Sequence, residues 1–146
     1  MAQIFDILVA IVLLAEPVPQ PVQVVDTGEL MDIFLKPEYA ELQPAMAKPP
    51  ADRKEWATIY QKAVRLAELD NLLFFRTHED ARKPDWAGTA ARARQAAADV
   101  AAAALRGLRT VKAENYGAVR TKYEAVADTC NACHRTFARD AVTVKP

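Results

Sequence analysis

Cysteine and histidine are scarce in this chain, two residues of each. A structural zinc centre draws on four Cys or His ligands, usually as two separated pairs, and here two of the four available, Cys133 and His134, are adjacent and fit awkwardly around one tetrahedral ion. Glycine is sparse as well, with four residues, and none of them builds a Gly-rich phosphate loop. Paired carboxylates and the nucleophile arrangements of hydrolytic enzymes are also missing, so no enzymatic turnover is expected. Net charge is zero, 19 basic residues against 19 acidic. That balance removes the basic excess of a nucleic-acid binder.

What is present reads as one all-α domain. The chain has 146 residues, 51% hydrophobic and 26% charged, enough to bury a core without disulfides. Few β-branched alternations and long stretches rich in Ala, Leu and Glu favour helix. Residues 1–16 form an apolar segment, interrupted by Asp6 and too short to span a bilayer, which takes about 20 residues. The segment resembles the apolar part of an export signal. No lysine or arginine precedes Lys36, so the charged leader of such a signal is missing, and a short packed or membrane-facing helix is the other reading. Any membrane contact is expected through residues 1–16 alone. Residues 17–26, with Pro17, Pro19 and Pro21, read as an extended linker to a domain over 27–142.

Four helical segments are predicted in that domain. The first, about 27 to 47, is capped by Asp26 or Thr27, carries Leu30, Met31, Ile33, Phe34 and Leu35, is kinked or interrupted at Pro37, and ends at Pro49-Pro50. The second runs from about Asp52 to His78, with Glu55 as capping-box partner, and closes on the dense run Leu72-Leu73-Phe74-Phe75, which suggests burial on more than one side. The third follows Pro84 and continues to about Leu108, its inward series Trp86, Ala90, Ala93, Ala97, Val100, Ala104 and Leu108. The fourth covers about Ala113 to Asp140. Short connections favour antiparallel neighbours, hence an up-down-up-down four-helix bundle.

The last segment contains Cys130-Asn131-Ala132-Cys133-His134. C-x-x-C-H is the covalent attachment signature of a c-type haem, in which two thiols bond the porphyrin and the imidazole binds iron. Tyr116, Val119, Tyr123, Val126, Cys130, Cys133 and Phe137 recur at intervals of three and four, so both cysteines fall on the buried stripe of a helix. On a helix those positions share one side, and Cys130, Cys133 and His134 can present together to a flat macrocycle. A thioredoxin-like dithiol would want a neighbouring βαβ pattern, which does not occur. A chance match in an ordinary core helix is the remaining alternative.

Four helices with one haem motif near the carboxyl terminus and an aromatic, Phe137, three residues after the histidine resemble the cytochrome c′ family, the class II c-type cytochromes, over roughly residues 27–140. The resemblance implies one covalent haem c, thioether bonds at Cys130 and Cys133, and His134 as proximal iron ligand. It places a distal residue on the first helix, where Met31 is the candidate ligand and Leu30 or Phe34 the candidates to fill the distal face without binding. Met46 and His78 are lesser candidates for ligation. Five-coordinate relatives carry arginine four residues after the histidine, where this chain has Ala138, with Arg139 one place on as a candidate for a haem propionate. Homodimers of the family pair through the first two helices, and Phe74, Phe75 or Trp56 could supply such a surface.

The function expected is that of an extracytoplasmic, periplasmic monohaem electron carrier with an unidentified redox partner protein. From Arg106 to Pro146 eight basic residues face four acidic ones, a local excess suited to an acidic partner or to propionates. The alternative is a five-coordinate haem protein that binds nitric oxide or carbon monoxide. A haem-free dithiol or zinc module is a remote third.

Overall fold

In the computed structural model, which describes residues 21–76 and 84–146, four helices pack together and no strand occurs among the described residues. The apolar segment 1–16, residues 17–20 of the linker and His78 lie outside them. The first helix, α1, opens at Asp26. Its carboxylate accepts from the Glu29 amide at 2.8 Å, and Glu29 accepts from the Asp26 amide at 3.1 Å, a reciprocal capping box.

Three continuous pieces make up α1: α-helical Thr27–Leu30, a π-helical turn Met31–Leu35, and α-helical Lys36–Ala45. The interruption expected at Pro37 takes the form of that widened turn. Lys36 donates to the Met31 carbonyl five residues back, and Pro37, which has no N–H to donate, sits where the π pattern hands over to the α pattern. The helix therefore continues through the proline instead of ending there.

The second helix, α2, spans Arg53–Asn71, with the Asp52 carboxylate accepting from the Glu55 amide at 2.8 Å. Glu55 in turn accepts from the Ala51 amide at 2.7 Å. A 3₁₀ turn, Leu72–Phe75, follows, and Arg76 is extended. The dense apolar run is thus not buried all round: Leu73 is buried, whereas Phe74 and Phe75 are 37% and 41% exposed. The third helix, α3, is Trp86–Thr110; a 3₁₀ turn at Ala113–Asn115 leads into α4, Tyr116–Phe137.

The core comes from the apolar stripes of these helices. Trp56, Ile59, Ala63 and Leu66 of α2 meet Ala97, Val100 and Ala104 of α3, Val119, Tyr123 and Val126 of α4, and Leu30 and Leu42 of α1. On α3 it is Gly107, not Leu108, that continues the buried line. A Cβ at position 107 would overlap the Trp56 ring. Trp56 is completely buried, which removes it from any subunit surface. Among the described residues no helix is long and apolar enough to cross a membrane.

The helices are not equally close. α2 and α3 share the most extensive interface, α3 and α4 the next, and α1 packs on α2, while the backbones of α1 and α4 hardly approach each other. Gly107→Ala should force the α2–α3 seam apart and lower stability by about 2 kcal/mol, the usual cost of an inserted methyl in a packed core. A denaturant titration showing an unchanged midpoint would contradict that packing.

Candidate functional site

Where α1 and α4 stand apart there is a cavity of about 740 Å³, in the range of about 300–1,000 Å³ that small-molecule and cofactor sites occupy. α4 supplies one wall. Its stripe is fully buried at Val119, Tyr123 and Val126 and then runs out of core, so that Cys130, Cys133 and Phe137 of the same stripe border the cavity, as does His134. α1 supplies Met31, from the π-helical turn, with Leu35 and Tyr39. Leu66 of α2, Leu73 and Trp86 add apolar surface. The Trp86 indole N–H donates to the Leu73 carbonyl at 2.9 Å, and its ring meets Phe137 edge-on with centroids 5.1 Å apart. That pair fixes one corner of the wall.

Other expected residues lie elsewhere. Leu30 is buried in the helix core and does not border the cavity. Phe34 is 42% exposed and lines a separate surface groove with Ile33, Pro37, Arg65 and Leu69. The π turn explains this, because one extra residue per turn rotates position 34 away from the side that Met31 presents. Met46 is wholly buried in the core. Arg139 is exposed and absent from the lining; the cations that do border the cavity are Lys36 and Lys145.

Cys130 and Cys133 are not joined in a disulfide. Burial, reinforced by the Asp70 carboxylate and by Cys133, pushes the Cys130 thiol up to about 12. A redox dithiol needs the opposite, a thiol acidified by nearby positive charge. The Nδ1 of His134 is buried without a hydrogen-bond partner among the described residues. No group of three or more His, Cys, Asp or Glu side chains is placed to hold a metal ion among the described residues, which leaves a zinc site from these side chains short of protein ligands.

Sequence reasoning missed two parts of the site. Asp70 borders the cavity and is 7% exposed, the one buried acidic side chain among the described residues. Burial pushes its carboxyl up to about 7. Its signal was legible: it lies four residues after Leu66 and seven after Ala63, on the buried stripe of α2. The second part is the carboxyl-terminal tail. Asn131, inside the C-x-x-C-H motif, donates its amide to the Val144 carbonyl and accepts from the Val144 N–H, both at 2.8 Å. The Tyr39 hydroxyl donates to the Lys145 carbonyl at 2.9 Å, with Gln43 donating to the same oxygen at 3.4 Å. The tail thus straps α4 to α1 and completes the cavity wall. No periodicity announces such a segment.

Comparison with protein-family models, curated proteins and solved structures finds no match to this chain.

Two outcomes are expected of the haem-free chain. Asp70 is protonated in the folded state up to about pH 7 but ionises near 3.8 when exposed. The unfolded chain therefore releases its proton first, and stability falls as pH rises between those values, by about 4 kcal/mol in all. Asp70→Asn should flatten that slope and stabilise the chain above pH 7 in urea titrations; a parallel slope in the variant would refute it. Asn131→Ala should release the strap, so that the Val144 amide exchanges its hydrogen at the rate of an open chain while the α2–α3 core stays protected.

Proposed function

We propose that this protein is a monohaem c-type electron carrier that works outside the cytoplasm, built as an antiparallel up-down-up-down four-helix bundle with its haem on the carboxyl-terminal helix, as in the cytochrome c′ class. The observation that carries this reading is the convergence of two thiols outside any disulfide, the imidazole next to them and a thioether from another helix on one cavity. The residues fit the group. The cavity has the volume of a cofactor site, its walls are largely apolar, and the imidazole keeps a buried nitrogen that has no hydrogen-bond partner among the described residues.

A haem bound there supplies reversible one-electron chemistry between ferrous and ferric iron. Cys130 and Cys133 would hold it by thioether bonds, and His134 would bind the iron. Met31 is the distal candidate, a soft ligand that favours the ferrous state. Leu35, Leu66, Leu73, Trp86 and Phe137 keep water away, which lowers the cost of reorganisation when charge changes. Lys36 and Lys145 are the cations suited to carboxylate substituents of the ring, the role first expected of Arg139. The basic excess toward the carboxyl terminus suits an acidic redox partner protein. The exposed Ile33 and Phe34 on α1, beside α2, suit a homodimer through the first two helices. Export follows from the attachment chemistry, which in bacteria takes place beyond the cytoplasmic membrane.

Expression with an export signal and the haem-attachment machinery tests the proposal. A pyridine haemochrome assay should find one covalent haem per chain, and its absence from correctly exported protein rejects the reading. A low-spin ferric spectrum with a sulfur-to-iron band, lost in Met31→Ala, is the expected result for the electron carrier. A high-spin spectrum that Met31→Ala leaves unchanged, with binding of carbon monoxide, would instead assign the five-coordinate, gas-binding function.

A further inference from the structure

Asp70 occupies an unfavourable place. It sits in the last turn of α2, where the helix dipole already presents partial negative charge. Its neighbours on the cavity wall, Leu66, Leu73 and Trp86, are apolar. Among the described residues it has no hydrogen-bond or ion-pair partner. The nearby buried guanidinium of Arg76 is spent on backbone carbonyls, donating to Leu72 at 2.9 Å and to Val25 at 2.7 Å. An unpaired buried carboxylate lowers stability, and a perturbed acid that borders a cleft is a candidate for function.

The cavity it borders is the one that Cys130, Cys133 and His134 share. The field of Asp70 is felt at Cys130, where it helps to suppress the thiolate. The same field acts on whatever the thiols carry. A redox centre held there would gain one positive charge on giving up an electron, and between apolar walls a neighbouring carboxylate, when ionised, would stabilise that state.

We propose that Asp70 is a positioning charge for the redox centre: its carboxylate, held in the cavity beside Cys130, biases the bound iron toward the ferric state and so lowers the potential of the carrier. This rests on the covalent-haem reading above. The effect of Asp70 is opposite in sign to that of a Met31 thioether on the iron, which would favour the ferrous state. The other charged side chains of the cavity wall, Asp32, Lys36, Asp140 and Lys145, are exposed or lie at its mouth, where water screens them.

The experiment is a redox titration of the haem-loaded protein and of its Asp70→Asn, Asp70→Ser and Asp70→Glu variants at about pH 9, where a carboxylate at this position is charged. The two neutral variants should shift the ferric-to-ferrous equilibrium about tenfold toward ferrous iron, a rise of about 59 mV for a one-electron couple. Asp70→Glu should stay near wild type. The haem-free neutral variants should gain stability at the same pH, a readout that does not involve iron. A loaded protein whose potential is unmoved by Asp70→Asn and Asp70→Ser overturns the proposal and leaves the haem reading standing. A wild-type chain that acquires no covalent haem removes both.

Discussion

The separation of α1 from α4 is the condition on which the site depends, and it is produced on the far side of the bundle. Small residues on α3 let α2 come close: alanines at 97, 101, 103 and 104, and Gly107 beneath the Trp56 ring, are all buried at that seam. Close approach there leaves the α1–α4 side open. At one end of the opening large side chains span the distance. Tyr39 stacks on Tyr123 with ring centroids 5.6 Å apart, and the Met46 carbonyl accepts from the Tyr116 hydroxyl at 2.6 Å and from Arg120 at 3.0 Å. The strap lands on α1 at this same Tyr39 and at Gln43, having left α4 at Asn131.

Electrostatics at the site run against the ordinary preferences of a folded domain. Buried carboxylates are usually paired, and buried imidazole nitrogens usually bonded. Asp70 and His134 Nδ1 are neither, among the described residues. Proteins concentrate such exceptions where they act, accepting a local loss that the surrounding core offsets. The thiols complete the pattern. With its thiol kept protonated by burial and by Asp70, Cys130 resists the thiolate chemistry that would otherwise oxidise it.

Much of the helical framework was legible because it is repetitive. The stripe from Tyr116 to Phe137 fixes both the helix and the side that its thiols present, and the caps at Asp26 and Asp52 are short-range hydrogen bonds written in three or four residues. Helix ends were harder: α2 stops at Asn71 rather than at His78, because apolar content alone does not separate an α-helix from the 3₁₀ turn that follows. Phe34 went astray for a geometric reason. Ordinary helical spacing puts it beside Met31's face, and only the π turn, forced on the chain near Pro37, swings it to the outer groove. Arg139 lies past the last helical residue, where periodicity no longer assigns direction. Asp70 was visible as a charge on an apolar stripe, but its lack of a partner is a tertiary fact.

The strap also ties the last residues of the chain to its first helix. It follows the thiols in the chain and grips Asn131, a residue enclosed by the very motif it covers. The wall of the cavity is therefore finished only once residues 140–145 are in place.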